Sequence, residues 1–220
     1  MRLSIKGAFV LLLLAVAGPI PAQPPAPVIL IIGDSLSAGF GIEISEGWVA
    51  LLQDRLEQKG YEYRVVNASI SGDTTGGGLR RLPRALERHQ PAITLLELGG
   101  NDGLRATPVP VIRRNMERMI ELSQAAGSQV ILAGMQIPPN YGISYTTEFA
   151  EVYTELATER QVGLIPFFMD GVALQPELLL PDLIHPNTEG QPVLLENAWE
   201  ALKPLLKNPT RSVEAATVMP

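Results

Sequence analysis

The stretch VILIIGDSLSAG, residues 28–39, decides how this chain folds. From Val28 to Ile32 every side chain is aliphatic and none is polar. A strand with one wet face alternates apolar and polar residues, so an uninterrupted apolar run is a strand covered on both faces, as in a parallel sheet between helices. Gly33 ends the run. Asp34, Ser35 and Ser37 follow where such a strand turns into a helix.

The same pattern recurs along the chain. Residues 63–67, 93–98, 130–135 and 163–167 read as four more strands, each followed by a loop rich in Gly, Ser, Asn or Pro. Between them lie apolar residues at helical spacing: Trp48, Leu51, Leu52 and Leu56; Leu79, Leu82 and Leu86; Ile112, Met116, Met119 and Ile120; Phe149, Val152, Tyr153 and Leu156. Ser45, Thr74 with Thr75, and Pro108 with Pro110 mark helix starts, and a last helix spans 191–206 with Pro192 in its first turn. Strands alternating with helices give a three-layer α/β domain with a five-stranded, mostly parallel sheet. It fills residues 23–206 with no second domain and no internal repeat, and residues 207–220 read as a flexible tail. In such sheets ligands bind beyond the carboxyl ends of the strands, where strand order reverses.

Composition narrows the function. With 46% apolar residues in 220, the chain has material for a sizeable core. Lys and Arg total 17 against 23 Asp and Glu, a net charge of -6. No basic stripe exists to neutralise phosphates, so nucleic acid is not expected as a partner. Two histidines and no cysteine exclude a disulfide framework and a thiol nucleophile, and make a transition-metal site improbable; no metal or organic cofactor is expected. Residues 1–22 read as a secretory signal peptide: Arg2 and Lys6, an apolar stretch from Ala8 to Ala17, then a small-residue exit with cleavage after Ala22 or after Ala17. The apolar stretch is about half the ~20 residues that a membrane span needs, so a periplasmic or secreted protein without a stable membrane span is expected, as a monomer.

Chemistry is sought where the strands end. A serine on a strand-to-helix turn presents its hydroxyl at the sheet edge, with a helix N-terminus nearby to favour developing negative charge; capping the helix is the plainer role for such a serine. Ser35 holds that position, although its surroundings are neither a P-loop nor a G-x-S-x-G elbow. A serine nucleophile needs a base. His89 immediately precedes the third strand, at the wrong end of the sheet, which leaves His185 in the run Asp182-Leu183-Ile184-His185-Pro186. Asp182, three residues earlier, is spaced to accept a hydrogen bond from Nδ1 and leave Nε2 free for the serine proton. Gly72, after the second strand, offers a backbone N–H unobstructed by a side chain, and Asn101, after the third, offers a side-chain amide. With the N–H of Ser35 these are three donors for a tetrahedral oxyanion, each worth about 3 kcal/mol of transition-state stabilisation. Asp34, Asp73 and Asp102 read as acceptors that fix these loops, with Asp102 the weaker candidate to orient His185.

Gly33-Asp34-Ser35-Leu36, the Gly72 of SISGDTT, Gly99-Gly100-Asn101-Asp102 and Asp182-x-x-His185-Pro186 resemble, in order, the sequence blocks of the GDSL or SGNH hydrolases. The stretches NASISGDTTGGGLRRLP, LELGGNDGLR, NYG and PFFM are similar to the bacterial periplasmic acyl-CoA thioesterase I group, the multifunctional esterases or lysophospholipases. The resemblance covers about residues 28–206. It implies a flavodoxin-like SGNH fold with strand order 2-1-3-4-5, Ser35 as nucleophile, His185 as base, Asp182 as its orienter, and Ser35, Gly72 and Asn101 as oxyanion donors. Leu183 stands where relatives often have glycine, and the loop of Ile137 to Tyr141 is short.

The expected activity is hydrolysis of carboxylic esters and thioesters, of the arylesterase, acyl-CoA thioesterase and lysophospholipase type, through an acyl-enzyme. Leu104, Ile137, Tyr141 and Ile184 are candidates to accept the acyl chain of a small-molecule ester or thioester. The same residues would serve a carbohydrate O-deacetylase, and a non-catalytic acyl-binding periplasmic protein is the reading from another class. Few aromatics, 5%, argue against a sugar-stacking platform.

Overall fold

The computed structural model describes residues 25–207. The expected signal peptide at 1–22 and residues 208–220 of the expected tail lie outside the described residues. Five strands, β1 (Val28–Gly33), β2 (Arg64–Asn67), β3 (Ile93–Glu97), β4 (Gln129–Ala133) and β5 (Gly163–Ile165), form one sheet in the order β2-β1-β3-β4-β5. All four pairings are parallel. Every residue of β1 and of β3 is buried, in β1 as its unbroken apolar character requires and in β3 with Thr94 and Glu97 buried among the aliphatic residues, whereas edge strand β2 is partly open. Ile31, with no exposed surface, illustrates the packing: truncating such a side chain to alanine costs about 2–5 kcal/mol through lost transfer energy and the cavity left behind.

Among the described residues seven α-helices flank the sheet, six between strands, α1 (Ser35–Ala38), α2 (Trp48–Gln58), α3 (Thr75–His89), α4 (Gly100–Leu104), α5 (Val109–Ala125) and α6 (Ile143–Arg160), and one after the last strand, α7 (Gln191–Leu202). Helices α2 and α7 pack together on one face, while α3, α5 and α6 cover the other. The β1–β3 pair in the middle of the sheet is where strand order reverses, so the loops after β1 and β3 leave side by side.

Helix boundaries follow local chemistry. The Thr74 hydroxyl caps α3 by accepting the Gly77 N–H, as its position after a turn predicts. Ser45 does not start a helix: it lies in a 3-10 turn, Ile44–Glu46, and α2 begins at Trp48 after extended Gly47, its first N–H taken by Gln191 Oε1 at 3.0 Å. The last α-helix stops at Leu202 rather than 206, because Pro204 has no N–H to continue the ladder; a 3-10 turn, Lys203–Leu205, follows. No helix among the described residues is long and apolar enough to cross a membrane.

Candidate active site

Four loops at the carboxyl edge of the sheet carry the residues of interest. After β1, Asp34 caps α1 by accepting the Leu36 N–H at 3.1 Å, so the capping role belongs to Asp34 and leaves the Ser35 hydroxyl for other use. That hydroxyl lies 2.9 Å from His185 Nε2. His185 Nδ1 lies 2.7 Å from Asp182 Oδ2, and Asp182 Oδ1 accepts the backbone N–H groups of Ile184 and His185 at 2.9 and 3.0 Å. Those donations, led by the His185 N–H, hold the Asp182 carboxyl down to about 2. An ionised carboxylate only accepts, so Nδ1 carries the hydrogen and Nε2 presents its lone pair to Ser35.

The His185 loop is fastened on both sides. The Leu180 N–H donates to the His185 carbonyl at 2.7 Å, and Gln191 donates to the Pro186 carbonyl while accepting from Trp48 on α2. Leu183 lies in the left-handed region at φ 57°, the bend that lets Asp182 reach back to His185. Phe40, just beyond α1, packs its ring against the His185 ring, centroids 4.4 Å apart.

Asn101 is on α4, directly after β3, where its Nδ2 donates to Asp34 Oδ2 at 2.9 Å. One N–H of the amide is thereby fixed beside the Ser35 turn and the other remains to donate. Gly72 is exposed at φ 77°, and a Cβ there would meet nothing within 4 Å. The positive φ favours glycine here, and the space beside its N–H is free of protein atoms. Its loop is tied back to β1: the Ile70 N–H donates to the Gly33 carbonyl, and Arg81 on α3 bonds Asp73, the Ala68 carbonyl and the Gly33 carbonyl. Asp102 does not approach His185; it accepts the Thr75 N–H and hydroxyl at 2.7 and 2.8 Å and pins α3 to α4. His89 ends α3, at the other end of the sheet.

Of the four residues expected to take an acyl chain, Leu104 and Ile184 are exposed. Tyr141 is half-buried and donates its hydroxyl to the Leu104 carbonyl at 2.8 Å. Ile137 is buried and packs so close to Gly103 that a side chain at that glycine would collide with it.

Three residues that the sequence did not single out stand at the site: Phe40, Arg81 and Glu97. Phe40 and Arg81 carry no spacing cue. Glu97 does, being the one charged residue of a buried strand and its last.

Residues 31–193 match the GDSL-like lipase/acylhydrolase family. The chain belongs to that family. It is 50% identical over 184 residues to the esterase TesA of Pseudomonas aeruginosa, covering 84% of this chain and 92% of that one. It is 43% identical over 183 residues to thioesterase 1/protease 1/lysophospholipase L1 of Escherichia coli K12, covering 83% and 86%. Among solved structures, the psychrotrophic esterase EstA of a Pseudoalteromonas species, crystallised with monoethylphosphonate as inhibitor, superposes with a TM-score of 0.78 at 41% identity, covering 82% of this chain and 99% of that one. This GDSL hydrolase is thus an enzyme of an ester-hydrolysing group, on the three-layer fold of the SGNH esterases.

Proposed function

We propose that this GDSL hydrolase cleaves carboxylic esters and thioesters of acyl chains through an acyl-enzyme on Ser35. His185 takes the serine proton through Nε2 as Oγ attacks the acyl carbon. The carbonyl oxygen becomes an oxyanion held by the N–H groups of Ser35 and Gly72 and by the Asn101 amide. His185 then gives its proton to the departing alcohol or thiol, and water, deprotonated by the same imidazole, hydrolyses the acyl-enzyme. Asp182 keeps the imidazole in the required tautomer and stabilises it when charged.

The observation that carries this reading is the continuous contact Asp182–His185–Ser35, 2.7 Å and then 2.9 Å, at the rim beside the Asn101 amide. An acyl substrate is favoured by the rim itself. Each of the four loops bearing a named residue also exposes a large apolar side chain: Phe40 beside Ser35, Ile70 beside Gly72, Leu104 beside Asn101, Leu183 and Ile184 beside His185. Grouped exposed apolar residues mark a binding surface. Export to the periplasm or exterior is part of the same proposal and rests on residues 1–22.

The test is Ser35→Ala assayed with a short p-nitrophenyl ester and an acyl-CoA. The variant stays folded and loses hydrolysis of both by about a thousandfold or more. Full activity in the folded variant refutes the assignment, and loss toward the ester alone refutes the thioester half.

A further inference from the structure

The mechanism above leaves Glu97 without a task, yet its carboxyl is buried beneath the nucleophile. It is the last residue of β3, in register with Gly33 of β1, and has no exposed surface. Its Oε2 accepts the Ser37 hydroxyl at 2.6 Å and the Asp34 N–H at 3.2 Å, the residues that flank Ser35 on either side. Its Oε1 is buried with no hydrogen-bond partner. A Cβ at position 33 would lie 2.5 Å from Glu97 Oε2 and 2.8 Å from Ser37 Oγ, so the glycine opens the space through which this carboxyl reaches the turn. Asp34 in turn holds Asn101.

We propose that Glu97 is a positioning residue for hydrolysis: its carboxyl grips the Asp34–Ser37 turn from below and so sets the Ser35 hydroxyl, and through Asp34 the Asn101 amide, in the attacking geometry. This rests on the Ser35 mechanism proposed above. The grip needs hydrogen-bond acceptance and not charge. No cation contacts Glu97 among its partners, and a fully buried carboxylate charge with no counter-charge is costly. Burial and the neighbouring Asp34 carboxylate both favour the neutral acid. Ser35 and Asn101 are then aligned by one buried group before substrate arrives, which is where a small misplacement costs most rate.

The experiment compares Glu97→Leu and Glu97→Gln with the wild type. It uses kcat per serine labelled by a fluorophosphonate, together with KM for a short p-nitrophenyl ester, so that misfolded protein drops out of the rate. Glu97→Leu lowers kcat about tenfold with KM within about twofold, because ground-state binding of a small ester does not use the oxyanion geometry. Glu97→Gln, which still accepts through its carbonyl, recovers at least half of the lost rate. A kcat for Glu97→Leu within about fivefold of wild type overturns the proposal. So does a Gln variant no better than the Leu variant. Should Glu97→Leu fail to fold, Ser37→Ala removes the same contact from the other side and lowers kcat about threefold or more; an unchanged kcat overturns the proposal. Wild-type protein that takes no label at all is instead a failure of the Ser35 mechanism, and is told apart by that.

Discussion

Leu183 concentrates the local cost of building this site. A left-handed conformation costs an ordinary L-residue about 1–2 kcal/mol, and glycine adopts it freely but loses about 0.5–1 kcal/mol more entropy on folding. Leu183→Gly is therefore expected to raise stability in urea by about 0.5 kcal/mol with triad distances unchanged. A loss of more than about 1 kcal/mol would mean that the side chain contributes packing which outweighs the strain. The protonation states of individual acids also set the acid response. Asp182, held down to about 2, contributes stability that is present above the ordinary carboxylate range and is lost only as pH falls from about 4 toward 2. Asp34, raised to about 6 chiefly by burial, has the opposite sign. Its buried charge costs stability above pH 6, and that cost is relieved as pH falls from 6 toward 4. Its charge also holds the Asn101 amide. Between pH 7 and pH 5, hydrolysis is thus expected to fall while the thermal midpoint stays level or rises, with His89, its pKa lowered chiefly by desolvation at the half-buried end of α3, opposing the rise. A midpoint that drops in parallel with activity contradicts this.

At the scale of elements, the sequence was legible where one interaction decides the outcome. An unbroken apolar strand can only be central, and β1 is; a threonine after a turn caps its helix, and Thr74 does. What escaped depends on contacts between distant segments. Trp48 became the first residue of α2 because Gln191, far along the chain, receives its N–H, and no local pattern announces that. Ser35, Asp182 and His185 were readable because their chemistry fixes spacing and position, whereas Phe40 and Arg81 acquire meaning only once the loops are folded together. Arg81 is the clearest case. A single guanidinium bonds the end of β1, the stretch after β2 and the Gly72 loop. Arg81→Ala removes the guanidinium from the partly buried Ala68 carbonyl and Asp73 Oδ2 and leaves the Gly33 carbonyl with the Ile70 N–H alone, and is expected to cost about 1–3 kcal/mol in urea unfolding. It should also lower kcat more than it raises KM, because Gly72 loses its tether. A variant as stable and as fast as wild type would show that the loop holds its shape unaided.

For the whole molecule, the sheet order brings residues more than a hundred positions apart to one rim. Reversal of strand order at β1 sets the loops after β1 and β3 side by side, and the chain before α7 returns across that edge with His185. The fold therefore supplies a rigid floor, and the reactive groups stand on short loops tied to it by Glu97, Arg81 and Gln191. Such tethering keeps the reacting atoms aligned without help from the substrate, a source of rate acceleration in itself. All of this presumes that Ser35 is the atom donor to the acyl carbon. Treating the wild-type protein with a fluorophosphonate and mapping the modified peptide by mass spectrometry asks that directly. A single adduct on Ser35, absent in His185→Ala, is the predicted result; a folded protein that takes no adduct, or takes it on another serine, contradicts the account.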